Sequence, residues 1–116
     1  CHCQKTTRLL RERLGWDKDK LITTFQSRFG RAEWIKPYTD ETVEKLAHNG
    51  VRKIAVINPG FSADCLETID EIDREVREEF MNAGGTHYSH IRCLNDGDDG
   101  MALIEELVRR ELSGWI

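Results

Sequence analysis

Helix-like and strand-like segments alternate along this chain, and that alternation constrains its fold more than any other feature. Apolar residues recur every three or four positions in four segments, and short apolar or β-branched runs lie between them. In order, the sequence predicts a helix over Thr6–Leu14, a strand over Leu21–Phe25, a helix from Thr39 that Gly50 closes, a strand over Lys53–Ile57, a helix from Leu66 to Phe80 that Gly84 ends, a strand over Tyr88–Leu94 and a helix over Met101–Leu112. This order predicts an α/β fold with a three- or four-stranded, mainly parallel sheet and helices on both faces.

Size and charge narrow the class of protein. A chain of 116 residues has the length of one ordinary domain, so residues 1–116 are predicted to form a single domain. Seventeen basic and 21 acidic residues give a net charge of −4, which argues against a nucleic-acid partner. The longest apolar runs are far shorter than the roughly 20 residues of a membrane-spanning helix. Because the sequence begins at Cys1 rather than Met, we expect a piece of a longer chain.

The four cysteines point to a reducing compartment. Only Cys1 and Cys3 are close in sequence, and a chain of this size does not need disulfides to hold a core. A metal site built from Cys1, His2 and Cys3 is the alternative, but a second ligand pair that would complete a tetrahedral set is missing nearby. We therefore expect reduced structural thiols and a cytoplasmic location.

Four glutamates lie at strict four-residue spacing on the longest predicted helix. Glu67, Glu71, Glu75 and Glu79, called here the acidic row, repel one another by a few tenths of a kcal/mol per neighbouring pair. One interpretation is a solvated helix face, and the other is a row of oxygen ligands for a divalent cation. Asp64 followed three residues later by Glu67 also has the spacing of a helix capping box, which would explain those two acids without any ligand.

A polar loop follows the predicted strand that ends at Phe25, and ligands of parallel sheets bind at such strand ends. The loop after Phe25 holds hydrogen-bonding groups, two arginines and an indole, which together suit a flat ligand that carries carboxylates. These residues are Gln26, Ser27, Arg28, Arg31 and Trp34. The alternative is that Trp34 belongs to the core and the arginines are surface charges. The four histidines are not paired with a nucleophile pattern, and a phosphate-binding glycine loop is missing from the sequence.

Two sequence blocks resemble bacterial ferrochelatase, the lyase that inserts ferrous iron into protoporphyrin IX in the last step of heme biosynthesis. They are FQSRFG followed by a tryptophan and PYTDET, and PGFSADCLET followed by an EI pair. They occur in the order and spacing of the family, and TTRLL near the start also matches. The resemblance implies a chelatase-like, Rossmann-like domain that forms the C-terminal half of the enzyme, with the N-terminal domain lying outside this sequence.

The resemblance also assigns roles to individual residues. It implies that Glu67 is the active-site glutamate, and that Glu71 and Glu75 continue from it as metal-binding residues along a helix with π-type widening. It places Phe61 and Asp64 in the loop beside the macrocycle, with Asp64 among the catalytic residues. It implies that the porphyrin-facing segment contains Gln26, Ser27, Arg28 and Trp34. Cys65 stands where some members have a histidine, and Asn58 stands where a cysteine is common before Pro-Gly.

The resemblance further implies what the protein binds. The substrates are protoporphyrin IX and ferrous iron, a tightly bound cofactor is not expected, and a chain ending at Trp115 and Ile116 lacks the cysteine-rich tail that carries an iron–sulfur cluster in some members. The family's catalytic histidine lies upstream of Cys1, so we expect the fragment alone to be inactive and its exposed apolar surface to promote self-association. We also expect a cytoplasmic enzyme with peripheral membrane contact. The rival interpretation is a stand-alone α/β module that binds a cation or a partner without catalysis.

Overall fold

A computed structural model describes residues 1–28 and 30–115 of the chain, so Phe29 and Ile116 lie outside the described residues. In chain order the helices and strands are α1 (His2–Leu14), α2 (Thr39–His48), β1 (Lys53–Ile57), a π-helix (Glu67–Glu75), α3 (Val76–Asn82), β2 (His87–Ile91) and α4 (Asp98–Glu111). The mixed α/β class is confirmed. The bounds of β1 agree with the prediction, whereas α1 and α4 start four and three residues earlier than predicted.

The sheet consists of β1 and β2, which pair in parallel with Ile54 opposite Tyr88 and Val56 opposite His90. The π-helix and α3 connect the two strands and pack back on them, as a parallel pair requires. Side chains alternate between the two faces of the sheet. The face with those four residues, called here the covered face, lies under helices.

The other face of the sheet, called here the open face, is not covered within the described part of the chain. Its residues Ala55, Ile57, Ser89 and Ile91 are all exposed. Helices on both faces were predicted, but in the described residues they lie on one face only.

The core lies between the covered face, α2 and the connecting helices. Its buried apolar residues are Val43, Ala47, Ile72, Val76, Phe80 and Tyr88, with Ile54 and Val56 packed against them. Phe80 is fully buried, and burying a phenyl side chain contributes about 1.5–3 kcal/mol. The helices are therefore anchored to the sheet by their apolar stripes, as the helical spacing of these residues predicts.

A glycine allows the largest core side chain to approach the backbone. Gly85 lies just before β2, and its Cα faces the ring of Phe80. A Cβ built on Gly85 would overlap the Cε1 and Cδ1 atoms of that ring. Position 85 therefore accepts only hydrogen as a side chain while Phe80 keeps its place.

The predicted strand Leu21–Phe25 is wrong, and so is the count of three or four strands. In that segment only Phe25 pairs, in one isolated parallel bridge with Tyr38. Phe25 N–H donates to Pro37 O (2.9 Å), and Thr39 N–H donates to Phe25 O (3.1 Å). Because proline has no N–H and α2 begins at Thr39, the ladder cannot extend beyond this bridge.

The two terminal helices, α1 and α4, pack little on the other described helices and strands. Gly15 ends α1 in the left-handed conformation (φ 66°), and the N–H of Trp16 donates to Arg11 O (3.0 Å). In α4 every side chain after Gly100 is exposed, including an amphipathic set of large apolar residues. These are Met101, Leu103, Ile104, Leu107 and Val108.

Candidate functional site

An apolar groove of about 280 Å³ lies at the carboxyl ends of both strands. Its lining combines the last residues of each strand with the loops that follow. The lining residues are Ile57, Asn58, Pro59, Phe61, Ile91, Arg92, Cys93 and Leu94. Parallel sheets bind ligands at this end, because the loops there are free to carry polar groups above a rigid edge. Phe61, one of the predicted substrate-binding residues, is 42% exposed in this groove.

Asp64 joins the two loops that border the groove. Its N–H donates to Asn95 Oδ1 (2.8 Å), and Asn95 Nδ2 donates to Asp64 Oδ2 (2.9 Å). Asn95 adopts a left-handed backbone conformation (φ 52°), which asparagine tolerates better than most residues. The hydrogen bond from Asn95, with weaker ones from Thr68 and Cys93, lowers the pKa of Asp64 to about 2. Asp64 is therefore an anion that fixes the loop from which the π-helix starts.

The capping-box alternative for Asp64 and Glu67 is wrong. Thr68 Oγ1 donates to Asp64 Oδ1 (3.0 Å) and accepts the N–H of Cys65 (3.0 Å). The fully buried Thr68, and not Glu67, therefore satisfies these hydrogen-bonding groups at the start of the π-helix. Glu67 is exposed, and the Cys65 thiol donates to its carboxylate, which lowers the pKa of Glu67. Because a capping box needs a carboxylate bound back to the cap N–H, Glu67 is left free of that role. Its charge is therefore available to a cation or to a proton donor.

The acidic row lies on the π-helix and continues into α3. The π-helix has hydrogen bonds over five residues, an uncommon geometry that occurs frequently at functional sites. Ser27 Oγ donates to Glu71 Oε2 (3.0 Å) across 44 residues of sequence. Ser27 is one of two non-glycine residues with positive φ (58°) among the described residues. The predicted porphyrin-facing segment and the predicted metal-binding row therefore meet at this contact.

The far end of the row differs electrostatically from its start. Burial raises the pKa of Glu79, and the neighbouring charges of Asp40, Glu44 and Glu75 raise it further. Within the described residues its Oε2 atom is buried without a hydrogen-bond partner. The pKa shifts at the two ends of the row therefore have opposite directions, downward at Glu67 and upward at Glu79.

Arg28 faces α2. Its guanidinium forms an ion pair with Asp40, lies 4.0 Å from Glu41 Oε1, and stacks 4.4 Å from the centre of the Tyr38 ring. Stacking on Tyr38 fixes the plane of the guanidinium, whose remaining N–H groups can meet a second carboxylate. Arg28 therefore pairs with acidic residues, as the surface-charge alternative predicts, and its remaining N–H groups can still donate to a ligand at the loop.

The remaining predicted ligand residues lie apart from these contacts. Trp34 is 37% exposed, so the alternative that it belongs to the core is wrong. Gln26 is half-buried beside Phe25. Glu75 pairs with Arg74, whose Nη2 atom donates to Glu75 Oε1 (3.0 Å). The structure therefore brings together Ser27 and Glu71, but not the whole predicted set.

Sequence reasoning missed a polar cluster behind the groove. His90 has a side chain only 5% exposed, and its Nε2 lies 2.9 Å from Asn58 Nδ2 while its Nδ1 lies 3.9 Å from Asp73 Oδ2. Asp73 also pairs with Arg77, which donates to Tyr88 O (2.8 Å). The available signal was the strand register, which places His90 on the covered face opposite Val56.

Within residues 1–28 and 30–115, three or more His, Cys, Asp or Glu side chains do not converge into a group that could hold a metal ion. All four cysteines are free thiols, and Cys1, just before α1, and Cys3, within it, are exposed. A ligand sphere around a cation beside Glu67 would therefore need groups from the ligand, from water or from other protein.

None of the described helices is both long enough and apolar enough to span a membrane.

Comparison with known proteins places these features in a family context. The family profile described as ferrochelatase matches residues 1–112. The chain is 66% identical over 115 residues to a ferrochelatase from Mesorhizobium japonicum, covering 99% of the chain and 33% of that protein. It is 66% identical to a ferrochelatase from Allorhizobium ampelinum (100% of the chain, 34% of that protein) and 64% identical to one from Brucella ovis (98% and 32%). The chain spans about a third of the length of these relatives, less than the predicted half.

Proposed function

The chain belongs to the ferrochelatase family, and we propose that it is part of an enzyme that inserts ferrous iron into protoporphyrin IX to form protoheme. The observation that carries this proposal is the match of the ferrochelatase family profile to residues 1–112. Named ferrochelatases that are 64–66% identical to the chain agree with it. The acidic row, on the helix that follows the loop of Phe61 and Asp64, supports it. The reaction replaces two pyrrole N–H protons by one Fe²⁺, so its site must accept protons and attract a divalent cation.

Glu67 is the proposed proton acceptor and first iron contact. Its lowered pKa keeps it ionised at neutral pH, which favours cation binding. Glu71 and Glu75 are the proposed further contacts, one and two four-residue steps along the row. Asp64 acts through the loop, since its carboxylate is occupied by Asn95 and Thr68. We therefore propose it as a positioning residue of this site.

The proposed porphyrin contacts are Gln26, Ser27, Arg28, Trp34 and Phe61. The exposed rings of Trp34 and Phe61 offer flat apolar surfaces, and the remaining donors of Arg28 suit a ligand carboxylate. Ser27 already contacts Glu71, so a macrocycle along this segment would lie near the acidic row.

Ferrous iron is a substrate in this proposal, and we propose neither a resident cofactor nor an iron–sulfur cluster. We also propose a cytoplasmic enzyme with peripheral contact to the membrane. These assignments rest on the family resemblance.

The rest of the enzyme is the proposed partner of the open face and of α4. Both surfaces expose large apolar side chains, among them Ile57, Ile91 and Leu103. Large exposed apolar patches commonly mark surfaces that bind another protein. Without that partner, we propose that copies of residues 1–116 associate through the same surfaces.

A metal-insertion assay tests the function. Loss of protoporphyrin fluorescence on adding ferrous iron without oxygen measures turnover by the full-length enzyme and by residues 1–116. We expect turnover by the full-length enzyme only, because the fragment lacks the opposite wall of the site. The second candidate, a cation-binding module without catalysis, is favoured by the acidic row. It would be established if the full-length protein bound Fe²⁺ but did not metallate porphyrin.

Glu67→Gln tests the central residue. The change keeps size but removes charge and basicity, so we expect turnover to fall about a hundredfold or more with normal folding. Glu71→Gln and Glu75→Gln should act more mildly and mainly on the iron dependence. Glu78→Gln is the matched control, because Glu78 is an exposed glutamate on α3, which continues the π-helix. Turnover of Glu67→Gln equal to wild type would contradict the proposed role.

A further inference from the structure

His90 is a buried histidine held between two separate elements. It extends from β2 on the covered face, with Asn58 at the end of β1 on one side and Asp73 of the π-helix on the other. Its side chain is 5% exposed, whereas His87 on the same strand is exposed. His90 is not among the residues that line the groove, so its effect on the site must act through its neighbours.

The contacts define which ring nitrogen carries the proton. The Asn58 amide Nδ2 can only donate, so His90 Nε2 (2.9 Å) is the acceptor. A neutral imidazole that accepts at Nε2 carries its proton on Nδ1. That nitrogen faces Asp73 Oδ2 at 3.9 Å.

The charged groups around His90 come from two packed elements. Asp73 lies on the π-helix, and Arg77 of α3 pairs with Asp73 Oδ1, leaving Oδ2 toward the imidazole. Arg77 also lies 4.8 Å from the centre of the Tyr88 ring, and Tyr88 Oη donates to Ile72 O (2.6 Å) in the π-helix. Tyr88 and His90 thus contact consecutive residues of the π-helix, Ile72 and Asp73.

We propose that His90 is a positioning residue, a neutral Nδ1–H imidazole that links the turn at Asn58 to the π-helix at Asp73. The turn leads into the loop of Asp64, and the π-helix carries Glu67 and Glu71, so one side chain sets the spacing between the groove and the acidic row. Its effect on catalysis rests on the proposed function, whereas its protonation state does not.

The protonation state is tested by NMR. Two-bond proton–nitrogen correlation of ¹⁵N-histidine in the full-length protein at about pH 8 reports the tautomer of each ring, and His90→Gln assigns the His90 signals. We expect a protonated Nδ1 and an unprotonated Nε2. Asn58→Ala, which removes the donor to Nε2, should shift the population toward the other tautomer. An Nε2–H imidazole in the wild type, or an Asn58→Ala spectrum identical to it, would overturn the proposal.

The positioning role is tested by kinetics of the full-length enzyme. His90→Phe should lower kcat/KM for ferrous iron about tenfold, as loss of a supporting contact behind metal-binding groups does, and leave KM for porphyrin unchanged. His90→Gln, which still offers a donor and an acceptor, should stay within about threefold of wild type. His87→Gln is the control, because His87 is an exposed histidine on the open face of the same strand. Wild-type kcat/KM in a folded His90→Phe would overturn the positioning role, and absence of turnover in the wild type would instead contradict the proposed function.

Discussion

Both faces of the β1–β2 sheet carry apolar residues, but helices pack on one face and the other is exposed in the described part of the chain. The covered face has Ile54, Val56 and Tyr88 packed into the core. The open face has Ile57 and Ile91, which are 42% and 46% exposed. A β-strand with apolar residues on both faces is typical of a parallel sheet buried between two layers. The covered face therefore contributes to the core, whereas the open face has apolar residues that remain exposed in the described part of the chain.

The difference follows from where each layer comes from in the sequence. The covered face is packed by α2 and the π-helix with α3, all within 44 residues of chain from Thr39 to Asn82. The open face has no such neighbour within residues 1–28 and 30–115. Sequence-local packing therefore forms the core, and the remaining apolar face is the surface that we propose the rest of the enzyme covers.

Phe80→Ala gives the largest expected effect on this comparison. Truncating a fully buried phenyl ring should lower the free energy of unfolding by about 3–5 kcal/mol. Phe61→Ala is the matched control, since Phe61 is 42% exposed, and should change it by less than about 1 kcal/mol. Urea unfolding of both variants measures the difference. Equal losses would show that the groove, and not only the covered face, supports the fold.

Asp64→Asn should have an intermediate effect that depends on pH. The folded pKa of Asp64, about 2, lies below its ordinary value of 3.8, so its contribution to stability is present above pH 3.8 and is lost as the pH falls toward 2. We expect the variant to melt at a lower temperature than wild type at pH 6 and at a more similar temperature near pH 2.5. Thermal unfolding across this range is the measurement, with exposed Asp99→Asn on α4 as control. A difference in melting temperature that does not depend on pH would exclude the carboxylate as its cause.

Ile91→Ser on the open face should have the smallest effect on stability. Its side chain is 46% exposed, so the unfolding free energy of residues 1–116 should change by about 0.5 kcal/mol or less. Self-association should nevertheless weaken, which sedimentation velocity at increasing concentration would detect. Unchanged self-association would exclude this face as the contact. In the full-length protein the same variant should be clearly destabilising.

The sequence predicted those elements that have a clear apolar pattern between clear turn residues. The bounds of β1 were right because its apolar run is flanked by Gly50 on one side and by Pro59 and Gly60 on the other. Leu21–Phe25 has the composition of a strand, but pairing depends on a neighbour, and its neighbour here is a proline turn. Composition reports how well a segment suits a sheet, not whether a partner strand exists.

The candidate site was predictable only in part for the same reason. The regular spacing of the acidic row is visible in the sequence, whereas the contact between Ser27 and Glu71 crosses 44 residues. The alternation of side chains along the predicted strand places His90 on the same face as Tyr88, but its partners Asn58 and Asp73 come from two other elements and leave no pattern in the sequence. Contacts between distant segments come from the fold as a whole.

The close approach of Phe80 to Gly85 limits the order in which this segment can change over generations. A larger residue at position 85 has no room until position 80 has become smaller, and a smaller residue at position 80 leaves a cavity while position 85 is glycine. Each single step therefore loses stability that the second step can restore in part. Lineages are expected to keep both residues or to replace both, and a double-mutant cycle at these two positions would measure the coupling that ties them.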